Sequence, residues 1–163
     1  MVRVGRAIAE DWPLLREVRL RALAESPDAF GSTLAREELF TDEDWRMWQK
    51  SAAWFTALDG ERPVGLVGGR SDPAEWFLIA MWVAPEVRGQ GVGGQLVDAV
   101  AREAARNGAS AVTLQVNDRN AAARRVFERL GFVATGEWET LFREGVYRRE
   151  RMRLPVTDST TNQ

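Results

Sequence analysis

The sequence contains no cysteine and no histidine among its 163 residues. These absences exclude disulfides, thiolate nucleophiles, an imidazole base and any Cys/His zinc site. No apolar run approaches ~18 residues, the length that indicates a membrane span, and no apolar leader follows the first residues. The net charge is −2 and the basic residues are scattered, which is not typical of a nucleic-acid-binding protein. The sequence therefore predicts a cytoplasmic protein without a metal, a membrane partner or a nucleic-acid partner.

What is present is the composition of one globular domain, with 45% hydrophobic and 28% charged residues. We expect this domain to span residues 1–154 and the polar tail 155–163 to be disordered. Hydrophobic periodicity indicates an α/β fold with a mixed sheet of about seven strands and about four helices. Strands are predicted near residues 2–8, 52–58, 63–69, 76–83, 110–116, 133–141 and 146–154, and helices near 11–26, from 41, 95–107 and 120–130.

Several local patterns make specific predictions. Thr41 before three acidic residues indicates a helix start, and Asp59-Gly60 indicates a hairpin turn. The strand "WFLIAMWV" (76–83) is apolar at every position, so both of its faces should be covered. In the last helix, Phe127 shares an apolar face with its neighbours at helical spacing, which predicts packing in the core.

The stretch "VRGQGVGG" (87–94) places four glycines between this apolar strand and a helical pattern. Such a turn presents unpaired backbone N–H groups and the positive end of a helix dipole to an anion. A P-loop is excluded because no lysine follows the glycines. A dinucleotide fingerprint, G-x-G-x-x-G, is matched, but five residues (84–88) separate the strand from the first glycine and other elements precede it.

A third interpretation covers more of the chain. The segment Arg88 to Gly93 matches [QR]-x-x-G-x-[GA], and "LQVNDRNAAARRVFERLGF" (114–132) carries an N-x-x-N-x-x-A spacing and a Gly-Phe ending. These two linked motifs resemble those of the GNAT superfamily of acyl-CoA-dependent N-acetyltransferases. The resemblance extends in strand and helix order over about residues 2 to 154. It implies the GNAT fold and acetyl-CoA or coenzyme A as the cosubstrate.

The resemblance also implies which residues bind the cofactor. Backbone N–H groups of residues 89–94 would hold the pyrophosphate, and the backbone of residues 81–83 would pair with the pantetheine arm like an added strand. Asn120 matches an asparagine that commonly touches the cofactor, although it is also a plausible helix N-cap. The predicted cofactor-binding residues are Met81, Trp82, Val83, Arg88, Gly89, Gln90, Gly91, Val92, Gly93, Gly94, Asn120 and Phe127.

The catalytic residues depart from the family pattern. An ammonium acceptor must lose a proton before it attacks, and the leaving thiolate benefits from an acid. The positions where family members place a tyrosine or a glutamate hold Phe127, Phe77 and Gln115. The remaining candidates are Glu137, Glu139, Tyr147 and Glu75, and Glu75 is favoured because it shares a strand face with Phe77.

The predicted function is N-acetyl transfer to a primary amine by direct attack in a ternary complex, since no cysteine is present to carry an acyl group. Three missing ionisable side chains keep a second hypothesis open, a non-catalytic acyl-CoA-binding sensor or partner module of the same fold. A nucleotide-dependent oxidoreductase is a third hypothesis. The resemblance implies a small-molecule or peptide amine as acceptor, and it leaves open a homodimer, which is common in the family.

Overall fold

In the computed structural model of the chain, residues 1–142 and 145–156 are described. Seven strands form one mixed sheet in these ranges, in the order β1-β2-β3-β4-β5-β7-β6. Five α-helices accompany the sheet. The strands are β1 (Val2–Arg6), β2 (Ala53–Asp59), β3 (Arg62–Arg70), β4 (Glu75–Val83), β5 (Ala111–Asn117), β6 (Val133–Phe142) and β7 (Val146–Pro155), and the helices are α1 (Trp12–Glu25), α2 (Leu34–Glu37), α3 (Asp42–Lys50), α4 (Val92–Arg106) and α5 (Ala121–Arg129).

The α/β class and the element order agree with the prediction, with one additional short helix, α2. The chain divides into two compact units, one of residues 1–70 and 78–100 and one of residues 71–77 and 101–163. The first three residues of β4 belong to the second unit and the rest of β4 to the first. One domain over residues 1–154 stays a prediction. Of the predicted tail, Pro155 ends β7, Val156 N donates to Ser110 O at 3.0 Å, and residues 157–163 lie outside the described residues.

The first unit contains β1, β2 and β3, which pair antiparallel in sequence order. Helix α3 begins with the predicted cap, because Thr41 Oγ1 accepts from Asp44 N at 3.1 Å and Asp44 Oδ2 accepts from Thr41 N at 2.9 Å. The hairpin turn lies one residue later than predicted. Asp59 pairs with Arg62, so Gly60 and Glu61 form the turn, and Gly60 takes the left-handed φ of 65°. The core of this unit includes Leu15, Val18, Trp45, Trp54, Leu66 and Leu96.

The second unit contains β5, β7 and β6, with β7 antiparallel to both neighbours. The start of β4 pairs parallel with β5, where Glu75 to Phe77 face Ala111 to Thr113. Because side chains alternate along a strand, one face of this unit carries the odd-numbered residues of β5 and β7, including Gln115, Arg149, Arg151 and Arg153. The opposite face packs its core residues Val112, Leu114 and Met152.

Complete burial of β4 was a wrong prediction. Trp76, Leu78 and Trp82 are buried, but Phe77 keeps 37% of its surface and residues 79–81 are half-buried. An apolar run indicates that both faces of a strand favour burial, but it does not determine which element packs on each face. Ala80 has a φ of 54°, a left-handed conformation that costs a non-glycine residue about 1–3 kcal/mol.

No helix within the described ranges is long and apolar enough to span a membrane. The same ranges hold no group of three or more histidine, cysteine, aspartate or glutamate side chains arranged to bind a metal ion.

Candidate active site

The glycine-rich turn leads from β4 into α4, through a short 3-10 turn at Pro85–Val87. Gly89 and Gly91 adopt left-handed φ values of 80° and 82°. An added Cβ at either position would meet no atom of the chain within 4 Å, so neither glycine is required by crowding inside the protein. They are required by the backbone conformation, and they leave the outer side of the turn open to a close approach.

Helix α4 presents its first N–H groups at this turn. Gln95 N donates to Gly91 O at 3.1 Å, so the N–H groups of Val92, Gly93 and Gly94 precede the first helical hydrogen bond. The Val92 side chain is buried and anchors the start of the helix. The helix dipole adds a partial positive charge here. A run of unpaired N–H groups on an open glycine turn fits a phosphate or pyrophosphate.

Arg88 opens the turn, as predicted, but its guanidinium is used inside the protein. Its Nε donates to Val83 O at 2.9 Å, and its Nη2 donates to Glu25 Oε2 at 3.0 Å. The carbonyl of Val83 is therefore engaged by Arg88, and the strand-like pairing of the backbone of residues 81–83 with the cofactor stays a prediction. An anion at this turn would be held chiefly by backbone N–H groups.

Asn120 and Phe127 lie in the second unit. Asn120 caps α5, since its Oδ1 accepts from Ala123 N at 3.0 Å, which confirms the N-cap interpretation. Phe127 packs edge-on against Phe132 with ring centroids 5.7 Å apart. Core packing of Phe127 was nevertheless a wrong prediction, because no residue of α5 is fully buried and Phe127 is half-buried. Periodicity shows that a helix has an apolar face and does not show how completely a neighbour covers it.

Glu75 is bound by two arginines on the face of the second unit that carries Gln115, Arg149, Arg151 and Arg153. Its Oε1 accepts from Arg153 Nε at 3.0 Å, and its Oε2 accepts from Arg151 Nη2. Both carboxylate oxygens are therefore taken by guanidinium groups, and 22% of the side chain is exposed. Each oxygen of this carboxylate therefore forms a charge-assisted hydrogen bond inside the protein.

Glu139 has different surroundings on the same face. Its Oε2 accepts from Arg149 Nη2 at 2.8 Å and Nε at 3.1 Å, and also from Gln115 Nε2 at 3.4 Å. Among the described residues, none donates a hydrogen bond to its Oε1, and 49% of the side chain is exposed. Glu137 is more exposed, at 65%, and pairs with Arg151 Nη1 at 3.3 Å. Glu139 is therefore linked to Gln115 of β5.

The row of Arg149, Arg151 and Arg153 was not anticipated from the sequence. These residues occupy alternate positions of "YRRERMR", so strand periodicity alone indicates a shared face. Their carboxylate partners are Glu139 and Glu137 of the preceding strand β6, 10 and 14 residues away, and Glu75 of β4, 76 residues from Arg151. Tyr147 lies on the same face of β7 and is half-buried.

Comparison with known proteins places the chain among acetyltransferases. The model of a family described as the acetyltransferase (GNAT) family matches residues 19–132. The peptidyl-lysine N-acetyltransferase YjaB of Salmonella typhimurium is 28% identical over 144 residues, which cover 85% of this chain and 88% of that protein. A GNAT-family acetyltransferase of Streptococcus pneumoniae has a TM-score of 0.77 at 18% identity, over 96% of this chain and 99% of that one. The structure of yncA from Salmonella typhimurium, solved with its cofactor acetyl-CoA, has a TM-score of 0.74 at 17% identity, over 100% and 98% of the two chains.

Proposed function

Because the chain belongs to the GNAT acetyltransferase family, an enzyme family that uses acetyl-CoA, we propose that it acetylates a primary amine by direct attack in a ternary complex. The observation that carries the proposal is the turn at residues 88–94, with two left-handed glycines and the free N–H groups that open α4. Acetyl-CoA supplies an activated acetyl thioester when bound. The absence of cysteine supports direct attack over a cysteinyl acyl-enzyme.

In this proposal the cofactor is held mainly by backbone groups. The N–H groups of residues 89–94 bind the pyrophosphate, and the backbone of residues 81–83 pairs with the pantetheine arm. Asn120 and Phe127 are proposed as further cofactor contacts. Phe127 carries no hydroxyl, so the thiolate leaves without an acid from this position. A thiol with a pKa near ~8.5, by analogy with cysteine, is a fair leaving group unaided.

The amine must be deprotonated before it attacks. The candidate proton acceptors are Glu75, Glu137 and Glu139, which pair with the arginines of β7. The sequence alone favours Glu75 as the proton acceptor. Each oxygen of Glu75 accepts from an arginine, whereas only Oε2 of Glu139 accepts hydrogen bonds from the described residues. We therefore place Glu139 ahead of Glu75 as the acceptor of the amine proton, directly or through one water.

The acceptor that we propose to test first is a lysine side chain in a peptide. YjaB is named for this activity, and the Glu137 and Glu139 carboxylates, although each pairs with an arginine, are 65% and 49% exposed and could accept from an ammonium group. A small-molecule amine is the other acceptor class. A homodimer and a cytoplasmic location stay predictions.

Cofactor choice can be tested by thermal unfolding. A ligand that binds only the native state at about a hundred times its Kd stabilises it by about 2.7 kcal/mol, which is ~5 °C or more for a chain of this length. We expect CoA and acetyl-CoA to raise the midpoint by this amount, and NADH and ATP to raise it by less than about 1 °C under the same conditions. A shift with NADH and none with CoA would refute the proposed site.

A further inference from the structure

Glu25 occupies a position where a carboxylate is unfavourable by itself. It is the last residue of α1, and the last turn of this helix contains no basic residue. A negative charge at a helix C-terminus opposes the helix dipole, so Glu25 needs partners from elsewhere in the chain. Those partners come from the end of β4 and from the first residue of the glycine turn.

The Glu25 carboxylate receives three hydrogen bonds. Trp82 Nε1 donates to Oε2 at 2.8 Å, Arg88 Nη2 donates to the same oxygen at 3.0 Å, and the Ser26 hydroxyl donates to it as well. The Ser26 hydroxyl, followed by the Trp82 indole and Arg88, holds the pKa of Glu25 below its ordinary value. The carboxylate is therefore charged at neutral pH.

Glu25 thus connects two segments that the proposed function uses. Trp82 is buried in β4 with the Arg21 guanidinium 5.2 Å from its ring centroid, and Arg88 bridges the Val83 carbonyl and Glu25. The Glu25 and Arg88 side chains keep 30% and 50% of their surface exposed. An exposed ion pair contributes little to folding stability, so stability alone gives no strong reason for this contact.

We propose that Glu25 is a positioning residue for coenzyme A: by holding Arg88 and Trp82 it keeps the turn at residues 88–94 in its binding geometry. The inference rests on the proposed function and concerns a residue far from the turn in sequence. It assigns Arg88 to loop positioning, with the phosphate contacts left to backbone N–H groups. Preorganisation of this kind improves affinity by reducing the ordering that binding requires.

The test is a comparison of Glu25→Gln, Arg88→Ala and the double variant. We expect Glu25→Gln to raise the Kd of CoA, measured by calorimetry, and the KM of acetyl-CoA by about fivefold or more. The kcat should stay within about twofold, and the thermal midpoint without ligand should change by less than about 2 °C. Glu25→Gln should cause a smaller loss in the Arg88→Ala background than in the wild type, because the contact with Arg88 is already absent there and only the contact with Trp82 remains to be weakened.

Glu86→Gln is the matched control. Glu86 is a nearby carboxylate that pairs with Arg21 and Arg62, and its pKa is also below its ordinary value, chiefly because of Arg21. We expect its Kd for CoA to stay within about twofold of wild type. An unchanged Kd in Glu25→Gln, or additive losses in the double variant, would overturn the role of Glu25. Tighter binding in Glu25→Gln would also overturn it, because Glu25 would then restrain Arg88 from the phosphates. Failure of the wild-type protein to bind CoA would instead contradict the proposed function.

Discussion

Replacement of Gly91 by valine is expected to weaken CoA binding by about a hundredfold or more. Gly91 has a φ of 82°, which a β-branched residue adopts only at a cost of about 1–3 kcal/mol, and its carbonyl accepts the first hydrogen bond of α4. A valine would change the turn and direct methyl groups into the open space beside it. Loss of two N–H bonds to a charged phosphate, at about 1.5–3 kcal/mol each, accounts for the expected factor.

Gly60→Val provides a matched control for the Gly91 variant. Gly60 also has a left-handed φ, 65°, and open space around an added Cβ, but it lies in the β2–β3 turn. Both variants should lower the thermal midpoint by a similar amount because both strain the backbone. Calorimetry with CoA should show wild-type affinity for Gly60→Val only. Wild-type affinity in Gly91→Val would mean that the pyrophosphate binds elsewhere.

Glu139→Gln is expected to reduce kcat by about a hundredfold, within the range of ~10²–10⁴ that general acid–base catalysis contributes. Glutamine keeps the size of the side chain and removes the proton acceptor. The acidic limb of the kcat–pH profile should change in the same variant, while the KM of acetyl-CoA should change little. The measurement is kcat against pH with a saturating amine acceptor.

Glu75→Gln distinguishes the role of Glu75 from that of Glu139. This change leaves Arg151 and Arg153 without their shared partner, so we expect a lower thermal midpoint and a kcat reduced by less than about tenfold. The acidic limb of its pH profile should match the wild type. A hundredfold loss in Glu75→Gln together with near-normal turnover in Glu139→Gln would reverse the assignment and restore the order suggested by the sequence.

Features set by neighbouring residues were predictable from the sequence. The Thr41–Asp44 capping box, the Asn120 cap and the glycine turn each depend on side chains within four residues and on backbone geometry. The family resemblance added what local rules cannot supply, namely the cosubstrate and the use of the turn. The family match over residues 19–132 confirms that the chain belongs to the GNAT family.

Features set by distant residues were not predictable. Glu25 meets Arg88 across 63 residues, and Glu75 meets Arg151 across 76 residues. No periodicity in one segment indicates which charged residue of another segment will face it. The exposure of Phe77 and the incomplete burial of Phe127 depend in the same way on which elements cover them. The contacts of the two carboxylates therefore place Glu139 ahead of Glu75 as the proposed proton acceptor, whereas the sequence alone favours Glu75.

Acetyl transfer to an amine is the measurement that decides whether the protein is an N-acetyltransferase. The wild-type protein is incubated with acetyl-CoA and a panel of amines that includes lysine peptides, free amino acids and polyamines, and both the released thiol and the acetylated product are quantified, the latter by mass spectrometry. We expect equal amounts of free CoA thiol and of an N-acetylated primary amine, with both lost in Gly91→Val. Binding of acetyl-CoA without acetylation of any amine in the panel, or thiol release that yields only free acetate, would contradict the proposed function.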